Sequence, residues 1–419
     1  MTSQAAASTR RALFVTMLIV AFALPVQAFA ADSAATILAR TPAGGPTLDL
    51  LIGARPGRAS GVRSLTLALG THDRGTVPGM AVRRLRVPAS AAATLIRTLS
   101  ADPSVAYVEA DAPANATLIP NDPLYLHGYE PGLDEIGMPA AWDISTGASG
   151  PVIAVVDTGG DAPHEDLGGR VLPGYDFANG DSDPTDDNGH GTHVAGIIAA
   201  TGNNGIGGAG VCWGCRILPV KVLAANGSGW YSTVAAGIVW AADHGAQVIN
   251  LSLGGSAASD TLAQAVAYAE SKGIIVVAAA GNNGVTTRFY PAALPGVIAV
   301  AAAAPSSLDP AADIPYLYPW SDFGSDWVSV AAPGCTESTW PGNAYQSDCG
   351  TSMAAPFVSG SFGLLLDTEP AASTTDVTNA LLGTAGPVLR DMTADGFIHT
   401  DLALLALISG DIPAPVPLP

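Results

Sequence analysis

The chain reads as an α/β protein: a mostly parallel central sheet flanked by helices, preceded by a small α+β unit. Three observations lead there. A short all-apolar segment at 152–156 is followed by similar, mostly apolar ones at 217–223, 248–253, 274–280 and 297–302. Runs of that length without polar alternation suit strands buried on both faces, as in a parallel sheet. Between them, 233–244 and 262–272 fit helices, so strand and helix alternate as in an open α/β layer, whose sites form beyond the carboxyl ends of the strands. Composition also shifts near residue 120, because 31–120 holds many of the arginines and no cysteine.

Taken in order, the chain opens with Arg10-Arg11, an apolar run at 12–24, Pro25 and Ala28-Phe29-Ala30. A charged start, an apolar core and a small-x-small cleavage pattern make 1–30 a signal peptide. The run is short for a membrane span. The twin arginine is a loose match to a twin-arginine signal, and the general secretory route is the reading adopted. Within 31–120, residues 65–69 and 105–109 read as strands, and 91–99, after Pro88, as a helix. Residues 112–123, with Pro113, Asn115, Pro120 and Pro123 as breakers, read as an exposed linker. The larger domain spans 121–410, and 411–419 is a Pro-rich, extended tail. Later apolar runs are broken by Gly, Asn and Asp, so no stable membrane anchor is expected.

The sequence is 48% hydrophobic, enough for a large core. Its formal net charge of -19 argues against nucleic acid as a partner, since phosphates need a basic surface. Four cysteines, an even number, suit two disulfides in an exported protein. Zinc at Cys212-Trp213-Gly214-Cys215 would want a second such pair, and Cys335 and Cys349 are too widely spaced to supply it. Local bridges 212–215 and 335–349 are the expectation.

Gly350-Thr351-Ser352-Met353-Ala354-Ala355-Pro356 leads into a helix of small and apolar residues. Ser352, at its first turn, is either an N-cap or a nucleophile at the positive end of the helix dipole. A nucleophilic serine needs a general base, and the base needs an orienting group. Asp157 closes a strand in Val155-Val156-Asp157-Thr158-Gly159; alone it is a turn residue or a cap. His190 lies in Asn188-Gly189-His190-Gly191-Thr192-His193-Val194-Ala195-Gly196, where a Gly-rich turn enters a helix. His190 and His193 could be a metal pair, but no third ligand sits at suitable spacing. Asn282, in Ala280-Gly281-Asn282-Asn283-Gly284, follows another strand.

Together these groups lie at strand ends or helix starts of one sheet. Their three motifs resemble those of the subtilisin-like serine proteases, the subtilases, and the order Asp, His, Ser is that of subtilisin. The likeness extends over nearly the whole chain after the signal. It implies a secreted serine endopeptidase, extracellular or periplasmic, made as a self-processing zymogen and working as a monomer on protein or peptide substrates. Asp157, His190 and Ser352 would be the triad, with Asn282 in the oxyanion hole. Residues 31–120 would be a pro-domain, chaperone and inhibitor of its own enzyme, with its ending pattern at 95–111. Asn121-Asp122-Pro123 would begin the mature protein.

The same resemblance implies that Ser252, Leu253, Gly254 and Gly255, with Gly227, Ser228 and Gly229, pair with substrate backbone. Leu223 and Tyr231 would border the pocket for the fourth residue before the cut. Gly254, Ala279 and Gly281 would wall the pocket for the residue just before it. Phe289 stands there where the family often has Gly or Asn, and its ring either fills the pocket or packs outward. A structural calcium would take Asp166, Asn204, Asp122 and the carbonyls of Thr201, Ile206 and Gly208, oxygen donors that suit a hard cation; no catalytic metal is implied. Val416-Pro417-Leu418-Pro419 resembles the opening of a surface-sorting signal without its apolar span. A silent binding protein on this scaffold would normally lose one of the three triad groups, and the acid-acting serine-carboxyl relatives replace the histidine; His190 argues against the latter.

Overall fold

The computed structural model describes residues 47–69, 71–111, 118–306, 315–386, 393 and 395–415. The signal-peptide reading, residues 112–117 of the linker and the last four residues of the tail lie outside them. The chain divides into two compact units, Met1–Ala114 and Asn115–Pro419.

In the first unit four strands, β1 (Thr47–Ala54), β2 (His72–Thr76), β3 (Val82–Pro88) and β4 (Val105–Ala110), form an antiparallel sheet in the order β2-β3-β1-β4. Alternation puts Leu48, Leu50 and Ile52 of β1 on one buried face, against Ile96 and Leu99 of helix α2 (Ala89–Ser100). The expected strand at 65–69 is a correction. Leu65 to Ala68 is the last turn of helix α1 (Ala59–Ala68). Leu65, Leu67 and Leu69 alternate like a strand, yet Leu67 is 61% exposed, while Val62 and Thr66 are the residues α1 buries. That phase is helical, i to i+4.

The second unit begins with three short helices, α3 (Pro123–Leu126), α4 (Pro131–Glu135) and α5 (Met138–Trp142). Its nine-stranded sheet contains β5 (Val152–Asp157), β6 (Tyr175–Asp176), β7 (Arg216–Lys221), β8 (Val248–Leu251), β9 (Ile275–Ala279), β10 (Ile298–Ala304), β11 (Tyr316–Leu317), β12 (Val330–Pro333) and β15 (Gly396–Phe397). The order is β15-β12-β10-β9-β8-β5-β7-β6, all parallel, with β11 antiparallel on β10. Every residue of β5, β8, β9 and β10 is buried, which is why these strands read as apolar runs, with Asp157 closing β5 and Asn250 within β8 as the polar exceptions. Helix α6 (His190–Ala199) packs on α9 (Thr351–Thr368), and α7 (Tyr231–Asp243) on α8 (Asp260–Ser271); α10 (Thr374–Gly383) packs on α11 (Thr400–Ser409). All five expected strands and both expected helices are present.

Strands β13 (Cys335–Trp340) and β14 (Ala344–Cys349) make a separate antiparallel hairpin, with Cys335 and Cys349 as register partners joined by a disulfide. The second disulfide joins Cys212 to Cys215, both fully buried. The linker reading needs correction at its end. Pro120 and Asp122 are buried, and the Asp122 carboxylate accepts the N–H groups of Asn203 (2.5 Å), Asn204 (3.0 Å) and Gly205 (3.1 Å).

Candidate active site

Three strands run out at one place. β5 ends on Asp157, β8 continues into Ser252 and Gly254, and β9 into Gly281 and Asn282. Helices α6 and α9 bring His190 and Ser352 to the same place on their first turns. Entry into α6 needs Gly189: its φ is +115°, and a side chain would strike the Trp340 ring of the hairpin.

Asp157 is fully buried, and its Oδ1 lies 2.7 Å from His190 Nδ1 and accepts the Thr158 N–H at 2.7 Å. The carboxylate fixes the proton on Nδ1 and leaves Nε2 as the nitrogen able to accept one. Burial works against a charged imidazole, but Asp157, by charge and hydrogen bond, followed by Asp348 and Asp186, outweighs it and raises His190 to about 9. His193 does something else. It is buried, pushed down to about 4 chiefly by that burial, and joined through Nε2 to the Gln346 carbonyl at 2.9 Å. It braces the hairpin and is not half of a metal pair.

Ser352 is the second residue of α9. The N-cap is Gly350, so capping is not what this serine does. Pro356 has no N–H to return to the Ser352 carbonyl four residues back. That carbonyl instead accepts the Ser252 hydroxyl at 2.7 Å, while Ser352 Oγ donates to the Ser252 carbonyl at 3.1 Å. Asn250 Nδ2 supports Ser252 Oγ at 2.9 Å, and Ser359 supports Asn250 at 2.8 Å. The amide of Asn282 is aimed by its neighbour: Oδ1 accepts both the Thr351 N–H (2.8 Å) and the Thr351 hydroxyl (3.0 Å), which leaves the NH₂ for the cleft.

A cleft of about 580 Å³ joins these groups. His190, Ser352 and Asn282 line it together with Leu223, Gly227, Ser228, Gly229 and Tyr231. Ser252, Leu253, Gly254, Ala279, Gly281 and Phe289 also line it. The Phe289 ring faces inward: a side chain on Gly254 would collide with it, and one on Gly281 would reach it at 3.2 Å. Gly255 lies elsewhere. Its N–H donates to the Tyr290 carbonyl and its carbonyl accepts the Tyr290 N–H, at 2.8 Å each, so its N–H is not free for a substrate. Thr351, Asn250 and Ser359 were missed in the sequence. Thr351 stood beside Ser352 in the motif, but nothing local distinguished its hydroxyl from a packing one.

Among the described residues no three His, Cys, Asp or Glu side chains gather as a metal group. Two buried carboxylates nevertheless converge on the 201–208 loop. Asp166 accepts Asn204 Nδ2 at 2.8 Å and the Gly208 N–H at 3.1 Å, and burial, with Asp122 adding to it, raises it to about 6. Among the described residues no hydrogen bond reaches the carbonyls of Thr201, Ile206 or Gly208. Crowded carboxylates beside unclaimed carbonyls are donors a hard cation fits. Asn204 Oδ1 accepts the Ile206 N–H at 2.7 Å, so ligation through it requires the amide to turn over.

A family model described as the subtilase family matches residues 148–403, the stretch that carries Asp157, His190, Asn282, Ser352 and the residues that line the cleft. The chain belongs to the subtilase family. It is a serine endopeptidase of the subtilisin-like class. Thermitase of Thermoactinomyces vulgaris is 48% identical over 255 residues, covering 61% of this chain and 88% of its own. The thermophilic serine proteinase of Bacillus sp. (strain AK1) is 48% identical over 272 residues, and the match spans 65% of each chain. Among solved structures, a protease from Pseudoalteromonas arctica superposes with a TM-score of 0.60 at 32% identity, covering 69% of this subtilase and 99% of that chain.

Proposed function

We propose that this subtilase is a secreted endopeptidase that cuts peptide bonds through an Asp157–His190–Ser352 triad and an acyl-enzyme. The observation that carries the reading is the 2.7 Å Asp157–His190 bond in the same cleft as Ser352 and the free amide of Asn282. His190 Nε2 takes the Ser352 proton as Oγ leaves the Ser252 carbonyl and attacks the substrate carbonyl, then gives it to the leaving amine. Asp157 holds the tautomer and stabilises the imidazolium. Asn282 Nδ2 and the Ser352 N–H receive the oxyanion. Among the described residues no helix is long and apolar enough to cross a membrane, and the signal at 1–30 supports export.

Residues 31–120 act in this reading as a pro-domain removed by the enzyme itself. Mass spectrometry of the secreted protein should find wild type cut within 112–122 and Ser352→Ala uncut. A Ser352→Ala protein that still processes itself sinks the assignment. Phe289 narrows the pocket for the residue before the cut, so small and medium side chains are preferred there.

Calcium is the cation that Asp122, Asp166, Asn204 and the loop carbonyls would hold. Bound there, it would supply compensating charge to the two buried carboxylates and would stabilise the folded state by mass action. Thermal inactivation should be faster in chelator than in calcium, and Asp166→Ala should abolish the difference. Equal rates for wild type in both would remove the site.

A further inference from the structure

Lys221 ends β7 and is 1% exposed, one of the largest fully buried side chains among the described residues. Burying an ammonium costs several kcal/mol unless its donors are met. Here all three are. Nζ donates to the Thr158 carbonyl (2.8 Å), the Leu223 carbonyl (2.9 Å) and Asp187 Oδ1 (2.6 Å). Each acceptor belongs to a different part of the active site. Thr158 follows Asp157 at the end of β5; Asp187 lies in the turn that delivers His190; Leu223 lines the substrate cleft. Asp157 and Lys221 are register partners on adjacent parallel strands, so their side chains leave the sheet on the same face.

We propose that Lys221 is a positioning residue for catalysis, its ammonium fixing the strand end at Asp157, the turn before His190 and the cleft wall at Leu223 in one arrangement. The inference rests on the triad assignment above and deepens it. A methionine would fill the same space, but it would tie none of the three together.

The charge also acts at a distance. The charged or titratable groups around this corner are Asp157 on β5, Asp176 on β6, Asp186 and Asp187 before α6, His193 on α6 and Asp348 on β14. Lys221 opposes the imidazolium of His190, and Asp187 favours it. Removing either therefore displaces the acidic limb of kcat/KM in opposite directions.

The test uses mature Lys221→Met and Asp187→Asn, assayed with a short chromogenic peptide across pH, with circular dichroism as the check on folding. Lys221→Met should lower kcat about tenfold with KM within about twofold, as expected of displaced catalytic groups, and move the limb up by ~0.5 pH unit. Asp187, whose side chain is 48% exposed, tolerates change; Asp187→Asn should fold and move the limb down by a similar amount. If both limbs move the same way, or both variants keep the wild-type kcat and limb, the proposal is overturned. Should Lys221→Met not fold, Asp187→Asn decides alone: a limb that does not move down overturns it. Failure of the triad itself would show separately, as residual activity in Ser352→Ala.

Discussion

The two sides of the catalytic cleft are built from different materials. On one side Asp157, Asp186, Asp187, Lys221 and His190 are charged or chargeable, buried or half-buried, and tied by short bonds such as the 2.7 Å Asp157–His190 contact. On the other, Ser352, Ser252, Thr351, Asn282 and Asn250 are neutral, joined by hydroxyl and amide bonds of 2.7–3.1 Å. The charged side sets a protonation state; the neutral side sets where atoms sit. Changes on the neutral side should therefore alter rate and selectivity without moving the pH profile, and pH should act through the charged side alone.

Removing the amide of Asn282 should break the neutral side hardest. Asn282→Ala is expected to lower kcat roughly 100- to 1,000-fold, as loss of an oxyanion donor does, while the acidic limb stays in place. A limb displaced along with kcat would mean that the two sides are not separable. Selectivity comes next. Phe289→Gly empties volume between Gly254 and Gly281, and should improve cleavage after Phe or Tyr relative to Ala by roughly ten- to a hundredfold. Peptides varied only at that residue measure it, and an unchanged ranking would place the ring's influence elsewhere.

The pH effect is gentler over the working range. In the proposed triad His190 must be neutral to accept a proton, and its pairing with Asp157 raises it to about 9. The initial rate at low substrate should climb tenfold per pH unit below that value and level off above it. A plateau already reached at pH 7 would contradict the strong coupling to Asp157. The same upward displacement favours the fold at low pH: its contribution is complete below the ordinary imidazole value of 6.5 and is lost as pH rises through about 9.

Much of the site was legible because its groups stand where strands end and helices begin. Asp157 closes an apolar run, His190 follows Gly189, Ser352 stands two residues after Gly350, and each motif is local in sequence. What escaped was carried by distance. The Ser252–Ser352 exchange joins residues a hundred positions apart, and nothing near Lys221 in sequence announces its role, because two of its three acceptors, Thr158 and Asp187, lie on distant segments. Gly255 sits off the cleft, and only its register with Tyr290 reveals that its N–H is spent. In the first unit the leucines at 65, 67 and 69 imitate a strand; only the burial of Val62 and Thr66 gives the helical phase. Strands β1, β2 and β3 went unread there. β2 (His72–Thr76) has no apolar residue to signal it.

The β13–β14 hairpin has a consequence for the enzyme's own survival. It climbs from the floor of α6, where Ser338 and Thr339 hold the His193 and Thr192 carbonyls at 2.9 and 2.8 Å, and returns to Ser352 with much of β14 exposed. A protease cleft that binds extended backbone would find this strand close at hand. To be digested, however, it must first come free of its partner, and the Cys335–Cys349 bridge closes the hairpin at its base. The staple therefore shields against self-digestion the one strand that leads directly into Ser352.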